Sequence, residues 1–419
     1  MLNSLTRGLG IALLGVVFLG TGVANAQDPT LTERTDFLTG NFRAAPINPR
    51  TPRALGMGNA FVAVGGSYDS MFYNPAGLAA IRDWQFSILG LRAEANTDSF
   101  TFAMDAKDLS GGDANEANTF FAGRVGEAVY VNADNVTHFV MPYRKNWAFG
   151  FAYSYSYRFD GVVQPGITAG DRYIVGLRKL EDHAGYLTVA RRIWGEYLDM
   201  GVNLKFISRS DIRTAESESS VTANNGVSYT NDFVKPLKGP GDFAAGADAG
   251  LVMRLPFSLL IPAPEDEDPS PWGISAGYIA SGFTFQDIAR TAFKAQQPDV
   301  ANGILVAGSG DVPMTVDWGL AVAVPFEVAR LTFAVDVRDI NRDEIPLGHK
   351  YSVGLELAFR YVLSLRGGIN ANGYAAGIET RFGAVRLNGE ILQERNTSIA
   401  NNLKETRVSA GMSLGWPYL

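Results

Sequence analysis

Hydrophobic and polar residues alternate with a period of two along much of this chain. The strictest stretch is Trp147-Ala-Phe-Gly-Phe-Ala-Tyr-Ser-Tyr-Ser-Tyr-Arg-Phe159, where every odd position is aromatic and every even one is Ala, Gly, Ser or Arg. Successive side chains of a strand point to opposite faces, so the pattern predicts a strand with one aromatic face and one small or polar face. The same period returns further on. Leu198, Met200, Val202, Leu204 and Phe206 alternate with Asp199, Asn203 and Lys205. Val316, Trp318, Leu320, Val322 and Val324 alternate with Asp317, Gly319 and Ala321, and Tyr351, Val353, Leu355, Leu357 and Phe359 with Ser352, Glu356 and Arg360. Val408, Ala410, Met412, Leu414 and Trp416 are set against Arg407, Ser409 and Gly411. In water such faces would aggregate, whereas in lipid they are what a barrel wall presents.

The connections alternate in length. Tight links are predicted near Arg144-Lys145, Gly195-Glu196, Pro325-Phe326, Tyr361 and Gly383-Ala384, and long polar ones at 159–171, 210–241, 285–313, 339–349 and 396–404. Outer-membrane barrels pair short periplasmic turns with long external loops. With the N-terminus periplasmic, the expected fold is all-β, a transmembrane antiparallel barrel of about 14 strands. The strands are predicted at 84–95, 130–142, 146–158, 172–193, 197–209, 242–255, 272–284, 314–324, 329–338, 350–360, 363–371, 375–383, 385–395 and 405–416. Residues 256–271, with Pro262, Pro264, four acidic residues and Pro269, read as the one long periplasmic turn. Residues 96–129 read as a loop or an extra hairpin.

The N-terminus adds a compartment. Arg7, the short apolar run Ile11–Leu19 and Ala24-Asn25-Ala26 form a signal-peptide pattern, with cleavage expected before Gln27. The domains expected are a signal peptide at 1–26, an N-terminal hatch at 27–83 and an outer-membrane barrel at 84–419 of a Gram-negative cell. Composition agrees: 46 Gly, 25 Phe, 16 Tyr and 6 Trp, with a mean hydropathy of only +0.01. After residue 26 no apolar run approaches the ~20 residues a membrane helix needs. The absence of cysteine removes disulfides, zinc thiolates and thiol nucleophiles from consideration. Net charge is −7, and loss of Arg7 with the signal peptide would leave −8, an unfavourable balance for nucleic acid.

Residues 27–83 lack strand alternation and contain Arg53-Ala-Leu-Gly-Met-Gly-Asn-Ala-Phe-Val-Ala-Val64, then Asp69-Ser-Met-Phe-Tyr-Asn-Pro-Ala-Gly-Leu78. This pairing of Gly-x-Gly with a downstream Asn-Pro-Ala, just ahead of a barrel, resembles the N-terminal hatch of the outer-membrane long-chain fatty acid transporter family (FadL/TodX type), which includes the PorV-like barrels. The resemblance spans about 30 residues in sequence. It implies a barrel of the strand count laid out above, with long third and fourth external loops and a hatch in the lumen. It also implies that Asn74, Pro75 and Ala76 contact a kinked, inward-bent strand beside a lateral opening. Gly56 and Gly58 would let the hatch backbone approach the wall. All five equally suit a purely structural role in folding the plug. The family's ligand pocket and its basic carboxylate contact have no recognisable counterpart here.

Other chemistry is sparse. Gly56-Met-Gly58 lacks the third glycine of a dinucleotide fingerprint. His138, His183 and His349 are scattered without ligand spacing, so neither a metal nor a cofactor is expected. Alternation points Asp248, Asp317, Arg330, Glu356, Arg360, Glu379 and Arg381 into the lumen, with Arg254, Asp336, Arg366, Arg386, Glu390 and Arg407. Such charges form either a structural network or a polar conduit. An enzyme of hydrolase type would need a Ser/His pair on adjacent inward positions, for which the sequence offers no motif. Phe285, Ile288 and Phe293 have helical spacing and are expected as an apolar stripe in an external loop, packing on the loop at 210–241 or capturing a ligand. The expected function is uptake of hydrophobic small molecules, such as long-chain fatty acids, by diffusion through a plugged barrel. The alternative is a PorV-like docking barrel for exported protein partners. Either would contact outer-membrane lipid and the barrel assembly machinery, for which Met412-x-Leu414-x-Trp416 reads as a signal.

Overall fold

In the computed structural model fourteen antiparallel strands close into one barrel. They are β1 Gln85–Asn96, β2 Ala128–Tyr143, β3 Trp147–Pro165, β4 Tyr173–Trp194, β5 Leu198–Ser217, β6 Asp242–Pro256, β7 Tyr278–Gln286, β8 Thr315–Pro325, β9 Ala329–Val337, β10 Tyr351–Phe359, β11 Leu363–Asn370, β12 Gly373–Phe382, β13 Val385–Arg395 and β14 Lys404–Trp416. Each pairs with its neighbours in sequence, and β14 closes on β1. The structure describes residues 48–106, 114–165, 172–195, 197–217, 242–259, 277–288, 291–293, 312–343, 345–360, 362–371, 373–395 and 404–416. The expected signal peptide, the start of the expected hatch and most of the expected turn at 256–271 lie outside these residues.

The alternation maps onto the wall. Leu187, Val202, Leu204, Phe206 and Leu355 are exposed on the outside, while Asp199, Asn203, Lys205 and Glu356 are buried within. Trp84, Tyr143, Trp147, Trp194, Phe326, Phe382 and Trp416 gather at the short-turn end, where amphipathic rings suit a lipid–water boundary. Three readings of the sequence need correction. First, β3 and β5 run on into what polarity marks as loops, because β4 pairs continuously with both, as far as Pro165↔Tyr173 and Ile174↔Ser217. The 22 residues of β4 span ~70 Å at ~3.3 Å per residue, far more than a ~25 Å lipid band, so polarity beyond that band does not end the strand. Second, residues 96–129 hold two helices, α3 Thr97–Ala106 and α4 Ala114–Ala122. Phe102, Ala117 and Phe121 pack there on Val129, Val163, Tyr173 and Leu177. Third, β7 extends through Phe285, in what the sequence suggests is loop.

The main core lies inside the barrel. Two short helices of the N-terminal segment, α1 Pro52–Gly56 and α2 Ser70–Tyr73, precede a 3-10 helix at Pro75–Ala80. Met57, Phe61, Met71, Phe72 and Leu78 are fully buried against inward alanines of the wall, among them Ala148, Ala184, Ala280, Ala321 and Ala334. Small inward residues are what leave room for this plug.

Candidate functional site between hatch and barrel wall

The Asn-Pro-Ala element is a helix cap that also grips the wall. Asn74 is the N-cap of the 3-10 helix: its side-chain oxygen accepts from the Ala76 N–H at 3.2 Å, and Pro75 occupies the first turn. Its Nδ2 donates to the Val62 carbonyl at 2.8 Å and reaches the carbonyls of Leu251 and Phe283 at 3.2 and 3.3 Å, on β6 and β7. Gly201 and Gly250 face this element, and a Cβ at either would collide with Pro75 or Asn74. The strands touched are therefore β5 to β7. The β5–β6 and β6–β7 ladders run in continuous register, as does β3, so no register break lies beside Asn74 in them.

Further contacts fix the hatch on the other strands. Arg53 binds Glu356 bidentately at 2.6–3.2 Å, and Glu356 also accepts from Arg366 at 2.8 Å. Arg50 pairs with Glu394 and lies 3.8 Å from Glu94. The Asp336 carboxylate accepts the backbone N–H groups of Phe61 and Val62 at 2.6 and 2.9 Å. Gly56 meets Arg366 and Gly377, and Gly58, at φ +62°, abuts Ile369 and Gly368, so a side chain at Gly58 would be strained and crowded.

β1 is irregular against both of its neighbours. Ser87 pairs with Gly415 and Leu89 with Leu414, so Ile88 is an extra residue with no β14 partner. On the other side Ser87 pairs with His138 and Leu91 with Asn135, leaving three β1 residues opposite two of β2. Ile88 is extruded, 66% exposed. Gly90 lies so close to the Val136 carbonyl that a Cβ would not fit, and its N–H is taken by the Asn135 side chain at 3.2 Å. This is a β-bulge. The sequence carries its signal in retrospect: the outward phase moves from Trp84, Phe86 and Ile88 to Leu91, Ala93 and Ala95, with a glycine between.

Behind the bulge lies a narrow cavity of about 40 Å³ between hatch and wall, bordered by Arg53, Tyr68, Ser87, His138, Asn388 and Met412. It has room for a few waters only. Outside, a wide open groove of about 570 Å³ is floored by Ala93, Ala133 and Ala410. Leu91, Arg92, Asp134 and Met412 border both spaces, so the two stand back to back across β1. Of the residues singled out from the sequence, Arg53, His138, Glu379, Arg386 and Met412 border the inner cavity.

The remaining predicted residues fall into two groups. Several inward charges are paired: Asp248 with Lys205 at 2.7 Å, Glu379 with Arg366 and Arg381 at 2.8 Å and Arg386 at 3.3 Å. Asp317 accepts the Asp339 N–H at 2.7 Å. Arg330 and Arg360 are half-buried at the short-turn ends of β9 and β10. The apolar stripe does not form. Phe285 lies on the outward side of β7, Ile288 is exposed, and Phe293 is buried under the Arg209 guanidinium at 5.0 Å. Asp287, at φ 55°, turns the chain into the lumen, where it meets Lys205 and Thr291 and separates the three side chains. Ser87 and His138 do form an inward pair of register neighbours, but the serine hydroxyl donates to the carbonyls of Leu89 and Leu414, not to the imidazole. No nucleophile–base hydrogen bond exists between them.

The chain matches no protein-family model and no curated relative. Solved structures do resemble it. The toluene transporter TodX of Pseudomonas putida superposes with a TM-score of 0.51 at 14% identity, covering 89% of this chain and 99% of that one. The toluene transporter TbuX of Ralstonia pickettii gives 0.51 at 13% identity, covering 89% and 99%. A deltaS2S3 mutant of the TodX monoaromatic hydrocarbon channel gives 0.52 at 13% identity, covering 88% and 99%. At these identities the likeness is one of fold: this chain has the fold of the FadL/TodX-type outer-membrane barrels.

Proposed function

We propose that this protein takes up hydrophobic small molecules across the outer membrane by diffusion, with the β1 bulge as a lateral passage from the lumen into the lipid. The observation that carries this reading is the inner cavity and the outer groove meeting across Leu91 and Met412. The neighbours named as toluene transporters make monoaromatic hydrocarbons the first class to try, beside long-chain fatty acids. No cofactor is called for, since diffusion down a gradient needs none. The cavity's small size means that side chains or hatch must shift for passage.

That same narrowness favours a second reading, a docking barrel for exported partners whose lumen stays closed. Uptake of labelled toluene and of a labelled long-chain fatty acid separates the two, measured at matched surface levels. Deleting Ile88 restores one-to-one pairing of β1 with both neighbours, Leu89 then following Ser87 opposite Leu414 and Thr137. Wild type should exceed empty vector, and the deletion should assemble yet lose most of that excess. Equal uptake by wild type and vector would remove the transport reading and leave the docking barrel.

A further inference from the structure

The cavity behind β1 is bordered by buried polar groups without hydrogen-bond partners. His138 is 5% exposed and stacks flat on Tyr68 of the hatch, ring centroids 3.8 Å apart and 4° from parallel. Neither of its ring nitrogens has a hydrogen-bond partner. Three more buried atoms of residues lining the same cavity also lack one, the Thr51 hydroxyl, the Asn388 side-chain oxygen and the Arg92 Nε. A buried polar atom without a partner is costly, and such atoms are rare in native proteins. Five such atoms around one small space mark it as built for a polar group. The arginines bordering it are ion-paired: Arg50 with Glu394, Arg53 with Glu356, Arg92 with Glu94 and Asp134, and Arg386 with Glu379, which it shares with Arg366 and Arg381. These arginines are already engaged by carboxylates of the wall, whereas the neutral imidazole offers one open donor and one open acceptor, the match for a hydroxyl. Toward the lipid the lining changes character, to Leu91, Met412 and the alanines of the outer groove.

We infer that the site takes an amphipathic molecule with an uncharged hydroxyl head, a long-chain or aromatic alcohol. The hydroxyl bonds His138, Thr51 and Asn388, and the apolar tail lies through the β1 bulge onto the outer groove. This rests on the uptake reading above and names its substrate class.

The test compares uptake of labelled 1-dodecanol, dodecane and dodecanoate by cells carrying the full chain, each corrected for empty vector. Wild type should favour dodecanol over dodecane about tenfold, the worth of one to two neutral hydrogen bonds in a dry site, and should favour it over dodecanoate. His138→Phe keeps a ring on Tyr68 but bonds nothing, so the preference of that variant for dodecanol over dodecane should be lost. Thr51→Val, isosteric with the native side chain, should lose part of the preference and carries the test if His138→Phe fails to assemble. A dodecanol preference that survives both substitutions, equal uptake of dodecanol and dodecane by wild type, or dodecanoate as the best probe would each overturn the inference and leave uptake itself standing. If none of the three exceeds vector, the uptake reading fails and this inference with it.

Discussion

Glu356 accepts from Arg53 of the hatch and from Arg366 of the wall, so one carboxylate ties plug to barrel. Asp248 joins two strands of the wall instead, pairing with Lys205 of β5, whose side chain is fully buried. Removing one member of a buried ion pair leaves the other charge unmatched, at a cost of about 3–5 kcal/mol. Glu356→Leu and Asp248→Leu should therefore lower the temperature at which the barrel loses its heat-modifiable gel migration. Val353→Leu, on the lipid side of the same strand, should stay within ~1.5 kcal/mol of wild type. The same contrast checks the register. A lipid-soluble thiol reagent should reach a cysteine at position 353 and not one at 356; the reverse would mean a slip of one residue, which exchanges the two faces.

Among elements, the 3-10 helix at Pro75–Ala80 is short, and its place depends on Asn74. Asn74→Ala combined with Pro75→Ala removes the cap, for about 1 kcal/mol, and leaves the Val62 carbonyl without its side-chain donor. The barrel ladders do not involve either residue, so the double variant should still assemble. Its hatch should be looser, read as faster proteolysis within residues 48–83 of the assembled protein. A hatch as resistant as the native one would show that the other anchors, Arg53 and Asp336 chief among them, hold it alone. Gly250→Val acts on the same contact from the wall, because its side chain would occupy the space of the Asn74 amide. It should reproduce the loosening.

For the molecule as a whole, closure and filling are separate achievements. The strands satisfy their backbone hydrogen bonds around the ring, which is the condition for crossing lipid without exposed polar groups. The hatch fills the space that the ring encloses. A chain lacking residues 48–83 should thus still form a closed barrel, with single-channel conductance well above that of the intact protein. Unchanged conductance would mean that loops, not the hatch, block the lumen.

The strands, their number and the inward direction of Glu356, Asp248 and Glu379 were legible in the sequence, because a period of two and a lipid solvent leave little choice of face. The Asn-Pro-Ala cap was legible as a rigid turn, since its chemistry is local. The helices α3 and α4 were missed although Ala117, Phe120 and Phe121 have helical spacing, since the stretch is short and lies between strands. The bulge at Ile88 was present only as a change of phase in the alternation. Which strands the hatch would grip, the scattering of Phe285, Ile288 and Phe293, and the meeting of Thr51, His138 and Asn388 on one cavity were decided by tertiary structure alone. Thr51, His138 and Asn388 stand far apart in the chain, and a ring closed between β1 and β14 brings them together through register, which no local pattern encodes.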